Sequence, residues 1–188
     1  LYTMTNKRTT RKRTIPKRYV PHHLSNNDTI LQKRAIIKSM KFYKKGKYVA
    51  RKKIKSFKNI QSPHITKAQK LYKTDVIKPS KELAKKTKCN IKGLQQIFKK
   101  GQGAYYSSGS RPNQTPQSWA HARLASSISG GKAAAVDYGI IEKFCSTNSK
   151  ALKLAKKSMK KYNKGMKRVP QVYLYYSKSK QNETQKLK

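Results

Sequence analysis

Serine and tyrosine side chains set among glycines are the first groups in this sequence whose types and spacing suggest chemistry. Ser107, Ser108 and Ser110 lie between Tyr105 and Arg111, in a stretch punctuated by glycines at positions 101, 103 and 109. Glycine lets backbone amides approach an anion closely, so the stretch is a candidate phosphate cradle or nucleophile site. Its spacing matches neither the phosphate-binding loop of nucleotide-binding proteins nor the nucleophile turn of serine hydrolases. The sequence leaves open whether these residues hold an anion or only turn the chain.

The histidines and acids form no recognisable catalytic or metal-binding set. His121 has no cysteine or acid at the spacing of a metal site or a catalytic triad, and the other histidines lie in basic segments without carboxylates to orient them. Asp137 and Glu142 are expected to form local ion pairs with lysine or arginine. We therefore expect no enzymatic activity, no metal and no cofactor. The remaining histidines are His22, His23 and His64.

The two cysteines and the apolar residues narrow the class of protein further. Cys89 and Cys145 lie far apart without partners at metal-ligand spacing, so we expect reduced thiols, although one bridge between them stays open. No apolar run approaches the roughly 20 residues that span a bilayer, and the start lacks the hydrophobic stretch of a secretory signal. We expect a soluble or peripheral protein. The sequence leaves open whether Met4 is the initiator or whether the chain beginning at Leu1 is a processed product.

Basic side chains supply the dominant chemistry of the chain. It has 188 residues, 47 of them Lys or Arg and six acidic, which gives a formal net charge of +41. Such a charge repels itself and requires a dense anionic partner, with nucleic acid as the first candidate and an anionic membrane as the second. Ten phosphate contacts would give a log–log salt slope of roughly −9. The predicted polyanion-binding residues are Arg8, Arg11, Lys12, Arg13, Lys17, Arg18, Lys52, Lys53, Lys92, Lys99, Lys100 and Arg111.

The first 78 residues are expected to be only partly ordered without a partner. Residues 1–24 mix basic residues with threonine and proline and show no helical period, which predicts a basic arm. Within the lysine-rich segment 25–78, Asn27 or Asp28 can cap a helix to about Lys45, with Leu31, Ala35 and Ile37 or Met40 on its buried side. Residues 47–59 suggest a short strand or an extended clamp. Ser62 followed by Pro63 predicts the start of a further short helix.

A compact, mainly α-helical body of about five short helices is predicted over residues 79–170. Ser80 caps a helix to Thr87, and Asn90 caps a second helix that Gly101 ends at Lys100. The pair resembles a helix-turn-helix, although Lys88 stands where that motif favours glycine. Its second helix would contact bases or phosphates through Asn90, Lys92, Gln95, Gln96, Lys99 and Lys100.

The second half of this body is predicted from caps and glycines. After the loop 101–115, Thr115 and Pro116 begin a helix that ends before Gly130, another helix follows from Lys132, and Ser149 caps a last one to about Asn163. Beyond it, residues 172–176 suggest an edge strand or an anchoring peptide within a tyrosine-rich tail, 171–188. The predicted core of the body is Trp119, Leu124, Ile128, Ile140, Ile141 and Phe144.

Several long motifs resemble a known family. They are KGQGAYYSSGSRPNQT at 100–115, SW at 118–119, ARLAS at 122–126, GGKAAAVD at 130–137, KRYVP at 17–21, FYKKGKY at 42–48 and IKPSKELAKKTKC at 77–89. Together they are similar to a lysine-rich family of uncharacterised proteins from large nucleocytoplasmic DNA viruses of algae and amoebae, over about residues 17–145. The resemblance implies a virus-encoded protein but carries no assigned reaction.

Charge and resemblance together yield three functional hypotheses. The first is a non-enzymatic virion structural protein, a minor capsid or core component inside the capsid shell, present in the host cytoplasm or viral factory before assembly. Its partners would be capsid proteins, viral genomic DNA or an anionic inner membrane. The second is a histone-like protein that condenses viral DNA without sequence preference. The third is a helix-turn-helix regulator. These predict, in turn, a fixed stoichiometry in DNA-free shells, a uniform salt-sensitive affinity, and a preferred DNA sequence.

Overall fold

The computed structural model describes residues 13–174. This part of the chain is mainly α-helical, which confirms the predicted fold class. Two short strands, β1 (Thr14–Pro16) and β2 (Gln171–Tyr173), pair antiparallel, and a 3-10 turn (Lys17–Tyr19) follows β1. The eight α-helices of the described residues are α1 (Asn26–Tyr43), α2 (Pro63–Tyr72), α3 (Lys81–Thr87), α4 (Ile91–Ser108), α5 (Pro116–Ile128), α6 (Lys132–Val136), α7 (Tyr138–Phe144) and α8 (Lys150–Lys161).

Side-chain caps set most of the helix starts, because they satisfy backbone N–H groups that have no partner in the first turn. Ser80, Asn90, Thr115 and Ser149 each accept a backbone N–H from the first turn of α3, α4, α5 and α8, as predicted. The predicted cap of α1 is wrong, because Ser25 accepts the N–H of Asp28 instead.

The buried face of α1 also differs from the prediction. Leu31 is 47% exposed, whereas Gln32 and Ile36 are buried; Met40, one of the predicted alternatives, is buried as expected. Gln32 can be buried because its amide donates to the carbonyls of Tyr19 (2.9 Å) and Ser110 (3.1 Å). Because Gln32 is buried with its amide hydrogen-bonded, the buried face of α1 differs from the face that the spacing of apolar residues alone predicts.

The predicted end of α4 at Gly101 is wrong, since the helix continues to Ser108. Gly101 is buried where α4 crosses α5, and a Cβ placed on it would lie 2.6 Å from the Cα of Ala120. The absence of a side chain therefore allows two helix backbones to touch, which is a different use of glycine from ending a helix. As a result, the first part of the predicted loop 101–115 is helical.

The main core forms around α4 and α5. Leu94, Ile97, Leu124, Ile128 and Ile141 have at most 1% of their surface exposed and pack with apolar side chains of α2, α3, α6 and α8. The predicted core residues Ile140 and Phe144 are only partly buried, and Trp119 lies outside this core. The boundary expected at residue 79 does not divide the packing, because Tyr72 and Ile77 share the main core with Leu83.

A second, N-terminal core corrects the prediction of a disordered arm for residues 13–24. Ile15, Tyr19, Val20 and Leu24 are buried, and they pack with residues of α1, with Ile54 and Phe57, and with Leu174 after β2. Apolar residues this widely separated in sequence do not form a local pattern. Residues 47–59 form no strand, although Ile54 and Phe57 anchor them in this core. Of the two alternatives predicted for residues 172–176, β2 confirms the strand for the part that the structure describes. Residues 1–12 and 175–188 lie outside the described residues.

The helix predicted from Lys132 is two helices, α6 and α7, which meet at Asp137. The Asp137 side chain points inward and is bonded by Arg123 and Ser127. Val136, an apolar residue at the break, is 49% exposed. The chain therefore turns at Asp137 and buries its carboxylate, although the continuous apolar pattern predicts a single helix.

The expectation of two reduced thiols is also wrong. Cys89, after α3, and Cys145, after α7, form a disulfide that closes 56 residues of sequence separation. Closing a loop of this size stabilises a fold by about 4 kcal/mol through the entropy of the unfolded chain. The bridge ties the α3–α4 turn to the end of α7, beside the hydrogen bond from the Asn90 N–H to the Phe144 carbonyl (2.6 Å). No helix within 13–174 has the length and apolar character that a bilayer requires.

Candidate nucleic-acid interface

A cleft of about 850 Å³ opens between the two cores. Its walls come from β1, the 3-10 turn, helices α5 and α6, the loop that follows α4, and the segments 59–65 and 166–171. This size lies within the range of roughly 300–1,000 Å³ that is typical of binding sites. Elements from distant parts of the chain thus converge on one concave surface.

The cleft is lined by cations and contains no carboxylate among its described lining residues. His64 and His121 add two further nitrogen-bearing side chains, and Trp119 adds an aromatic surface. The asparagine, glutamine and serine side chains between them are hydrogen-bonding groups that suit phosphate oxygens. The basic lining residues are Arg18, Arg111, Arg123, Lys132, Lys167 and Arg168.

The loop that carries Arg111 is held rigidly by buried polar groups. Asn113, in the left-handed conformation, accepts the Ile54 N–H (2.7 Å) and donates to the carbonyls of Ile54 (2.9 Å) and Phe57 (3.0 Å). Arg51 donates to Ser110 Oγ (3.1 Å) and to the Tyr105 carbonyl. Asn113 and Ser110 therefore hold the loop that places the Arg111 guanidinium at the cleft wall, a role that the spacing of the loop residues did not reveal.

His64 lies deep in the cleft wall, near the start of α2. A Cβ placed on Gly131 would lie 2.8 Å from its Cε1 and 2.3 Å from Ser126 Oγ, so glycine is required for this close packing. Burial lowers the pKa of His64, and the positive charges of Lys67, Arg18 and Arg111 lower it further. Cations from three separate elements thus act on one ring, which shows how strongly positive this part of the cleft is.

Arg123 and Lys100 have a different role from the other cations. Arg123 bonds both oxygens of Asp137 (2.7 and 2.9 Å), and Lys100 Nζ lies 2.8 Å from Oδ1 of the same carboxylate. This confirms that Asp137 forms a local ion pair, whereas the second predicted acid, Glu142, accepts the Tyr138 hydroxyl (2.6 Å). Lys100, predicted to hold phosphate, is therefore partly neutralised.

Sequence reasoning located only part of this interface. Of the predicted polyanion-binding residues, Arg18 and Arg111 line the cleft, while Arg13, Lys17, Lys52 and Lys53 are exposed elsewhere. Arg8, Arg11 and Lys12 lie outside the described residues. Lys132, Lys167 and Arg168 also line the cleft but were not predicted, because basic residues occur throughout this chain and composition does not distinguish those that converge.

The predicted base-contacting residues lie on α4, away from its buried face. Lys92, Gln95, Gln96 and Lys99 are exposed on one side of the helix, and Gly93 packs on the other side against Phe144. Asn90 is exposed, but its side-chain oxygen accepts the Lys92 N–H (2.8 Å) as a helix cap. Within 13–174, no cluster of three or more histidine, cysteine or acidic side chains is arranged to hold a metal ion.

Comparison with known proteins gives one match. A family model described as "Family of unknown function (DUF5824)" matches residues 16–143, from β1 to α7, which is more than half of the chain. No curated protein and no solved structure shows significant similarity to this sequence. The matched region includes most of both cores and most of the cleft wall, but not α8, β2 or the cleft residues between 166 and 171. The chain therefore belongs to the DUF5824 family.

Proposed function

We propose that this protein is a non-enzymatic structural protein that binds the phosphate backbone of nucleic acid without sequence preference. The observation that carries the proposal is the cleft, in which five cationic side chains converge in addition to Arg123, which Asp137 neutralises, and no carboxylate occurs in the described lining. Arginine and lysine neutralise phosphates and release condensed counterions, which supplies affinity without information about base sequence.

The proposed setting is the interior of the particle of a large DNA virus, which the family resemblance and the charge together suggest. A chain with a net charge of +41 is suited to lie between a genome and a shell, where both phosphates and acidic protein surfaces are available. The disulfide between Cys89 and Cys145 supports this setting over that of a permanently cytoplasmic regulator, because structural disulfides persist on virions and are rare in reduced cytosol. Binding to capsid neighbours and to an anionic inner membrane stays a prediction.

Binding of duplex DNA, measured from the fluorescence of Trp119, tests the proposal. Trp119 is the one tryptophan of the chain and lines the cleft, so its emission reports on occupation of that site. We expect duplexes of unrelated sequence to bind with equal affinity and with a steep dependence on salt. A strong preference for one sequence would instead favour the helix-turn-helix hypothesis.

A matched pair of double variants tests whether the cleft itself binds. Arg18→Ala with Arg168→Ala removes two exposed cleft cations, and Lys153→Ala with Lys157→Ala removes two exposed cations of α8. The cleft variant should lower the log–log salt slope by about 1.8 and weaken binding at least tenfold, since each phosphate contact contributes about 0.9 to the slope. Equal losses in both variants would show diffuse binding over the whole surface and contradict the role of the cleft.

A further inference from the structure

Three tyrosines outside the cleft lining form an aromatic surface, which we call the tyrosine platform: Tyr43, Tyr48 and Tyr106. The rings of Tyr43 and Tyr106 stack with centroids 5.8 Å apart and planes 8° from parallel. Tyr48 meets both of them edge-on, with centroids at 5.9 and 5.0 Å. Such offset and edge-to-face contacts hold aromatic rings in fixed orientations.

Tyr48 is not buried by this packing. It remains 69% exposed, whereas Tyr105, the neighbour of Tyr106, is 3% exposed and is covered by the guanidinium of Arg51 at 3.8 Å. Tyr48 also lies outside the helices, in the segment after α1. A tyrosine that serves only as core packing has its ring covered, so the exposed ring of Tyr48 is available to a ligand.

The surroundings of the platform suit a nucleic-acid strand. A cavity of about 380 Å³ adjoins the rings, and no carboxylate occurs among its described lining residues. Lys99 supplies a positive charge, while the amides of Gln102 and Gln117 can donate and accept hydrogen bonds at base edges. Aromatic rings beside a basic groove are the combination that proteins use to bind single strands.

The platform and the cleft lie on different sides of the helices that form them. With about 3.6 residues per turn, Ala104 and Ser108 of the cleft lie on the side of α4 opposite to Lys99 and Tyr106 of the platform cavity. Phosphates of a strand whose bases stack on the rings are therefore neutralised by Lys99 beside them. Duplex DNA cannot stack its bases on the rings, because they are stacked and paired inside the helix.

We propose that the tyrosine platform binds unpaired nucleobases of single-stranded nucleic acid, with Tyr48 as the exposed stacking surface. The proposal rests on the proposed function, because attraction between phosphates and the cations of the protein brings the strand to the platform. It adds a substrate class to that function, since it assigns the protein a preference for single strands over duplexes and for strands with bases over strands without them.

The test compares strands that differ only in their bases or sugars. Fluorescently labelled oligomers of about 16 nucleotides are titrated at about 0.1 M salt: oligo-deoxyuridine, oligo-uridine and an abasic deoxyribose strand of equal length. We expect the wild-type protein to bind oligo-deoxyuridine at least about fivefold more tightly than the abasic strand, the low end of what stacking of one base provides. The oligo-uridine arm shows whether DNA or RNA is preferred.

Two variants assign the difference to Tyr48. Tyr48→Ala should lose about tenfold in affinity for oligo-deoxyuridine and keep its affinity for the abasic strand, whereas Tyr48→Phe keeps the ring and should match the wild type. Both should fold, because Tyr48 is largely exposed, and circular dichroism checks this. Equal binding of the base-bearing and abasic strands by the wild type would overturn the platform and leave the proposed function intact. Absence of binding to any strand or duplex would overturn both.

Discussion

Asp137 is the residue on which the centre of the molecule depends. Its carboxylate is 1% exposed and is bonded by Arg123, Lys100 and the Ser127 hydroxyl (2.9 Å). Burial alone raises the pKa of Asp137, but hydrogen bonds and charges from Arg123 and then Lys100 outweigh that effect and hold the pKa below 3.8. The cluster fixes Arg123 of α5 and Lys100 of α4 to the junction between α6 and α7.

Asp137→Asn should therefore lower the free energy of unfolding by about 3 kcal/mol, because it leaves the half-buried Arg123 without a counter-charge. The pH dependence has a defined sign. A carboxyl whose folded pKa lies below its unfolded pKa of about 3.9 stabilises the fold above that pH, and this contribution is lost as the pH falls through the folded pKa. Urea unfolding is measured at pH 7 and at pH values about 1 unit apart between about 2 and 5. The loss of unfolding free energy on acidification should be smaller for the variant than for the wild type.

Glu142→Gln provides the matched control, since Glu142 is exposed and accepts a hydrogen bond from the Tyr138 hydroxyl of the same helix. It should change the unfolding free energy by less than about 0.5 kcal/mol. Equal stabilities of the two variants would contradict the structural role that we assign to Asp137. The sequence predicted that Asp137 forms an ion pair but not which cations it binds, because Arg123 and Lys100 are two of many basic residues.

At the scale of secondary structure, sequence patterns predicted four side-chain caps but not the role of Gly101. Ser80, Asn90, Thr115 and Ser149 act within three residues of their own positions, so local chemistry determines the starts. Gly101 acts through Ala120 on another helix, so its role depends on tertiary packing. The same distinction explains why the platform and the cleft were missed, since both combine residues that are far apart in sequence.

Gly101→Ala tests the close contact between α4 and α5. In an isolated helix this change stabilises by up to about 1 kcal/mol, but here the new methyl group would lie 2.6 Å from the Ala120 backbone. Overpacking of this kind costs about 1–3 kcal/mol, so the midpoint of chemical unfolding should fall. Gly139→Ala in α7 is the control, because no atom lies within 4 Å of its new Cβ, and its stability should rise or stay unchanged. A stabilised Gly101→Ala variant would show that the two helices do not touch.

For the whole molecule, the positive charge that suits the protein to bind polyanions also destabilises its fold. The chain has a net charge of +41 and six acidic residues. The buried acid among the described residues, Asp137, is already paired with Arg123. Repulsion between the remaining cations raises the free energy of the folded state relative to the expanded chain. The two cores, the β1–β2 pair and the disulfide act against this repulsion by joining the two ends of the described chain to its centre.

This opposition predicts that salt changes stability and binding in opposite directions. Raising sodium chloride from about 0.05 M to about 0.5 M shortens the screening length from about 14 Å to about 4 Å, which weakens repulsion within the protein and attraction to phosphate alike. The midpoint of thermal unfolding should rise by about 5 °C, equivalent to between about 1 and 2 kcal/mol, while the affinity for DNA falls. Potassium chloride should act equally, because screening depends on ionic strength. A midpoint that falls with salt would mean that ion pairs, and not repulsion, dominate the electrostatics of the fold. In that case, neutralising the cations of the protein by nucleic acid would not stabilise its folded state.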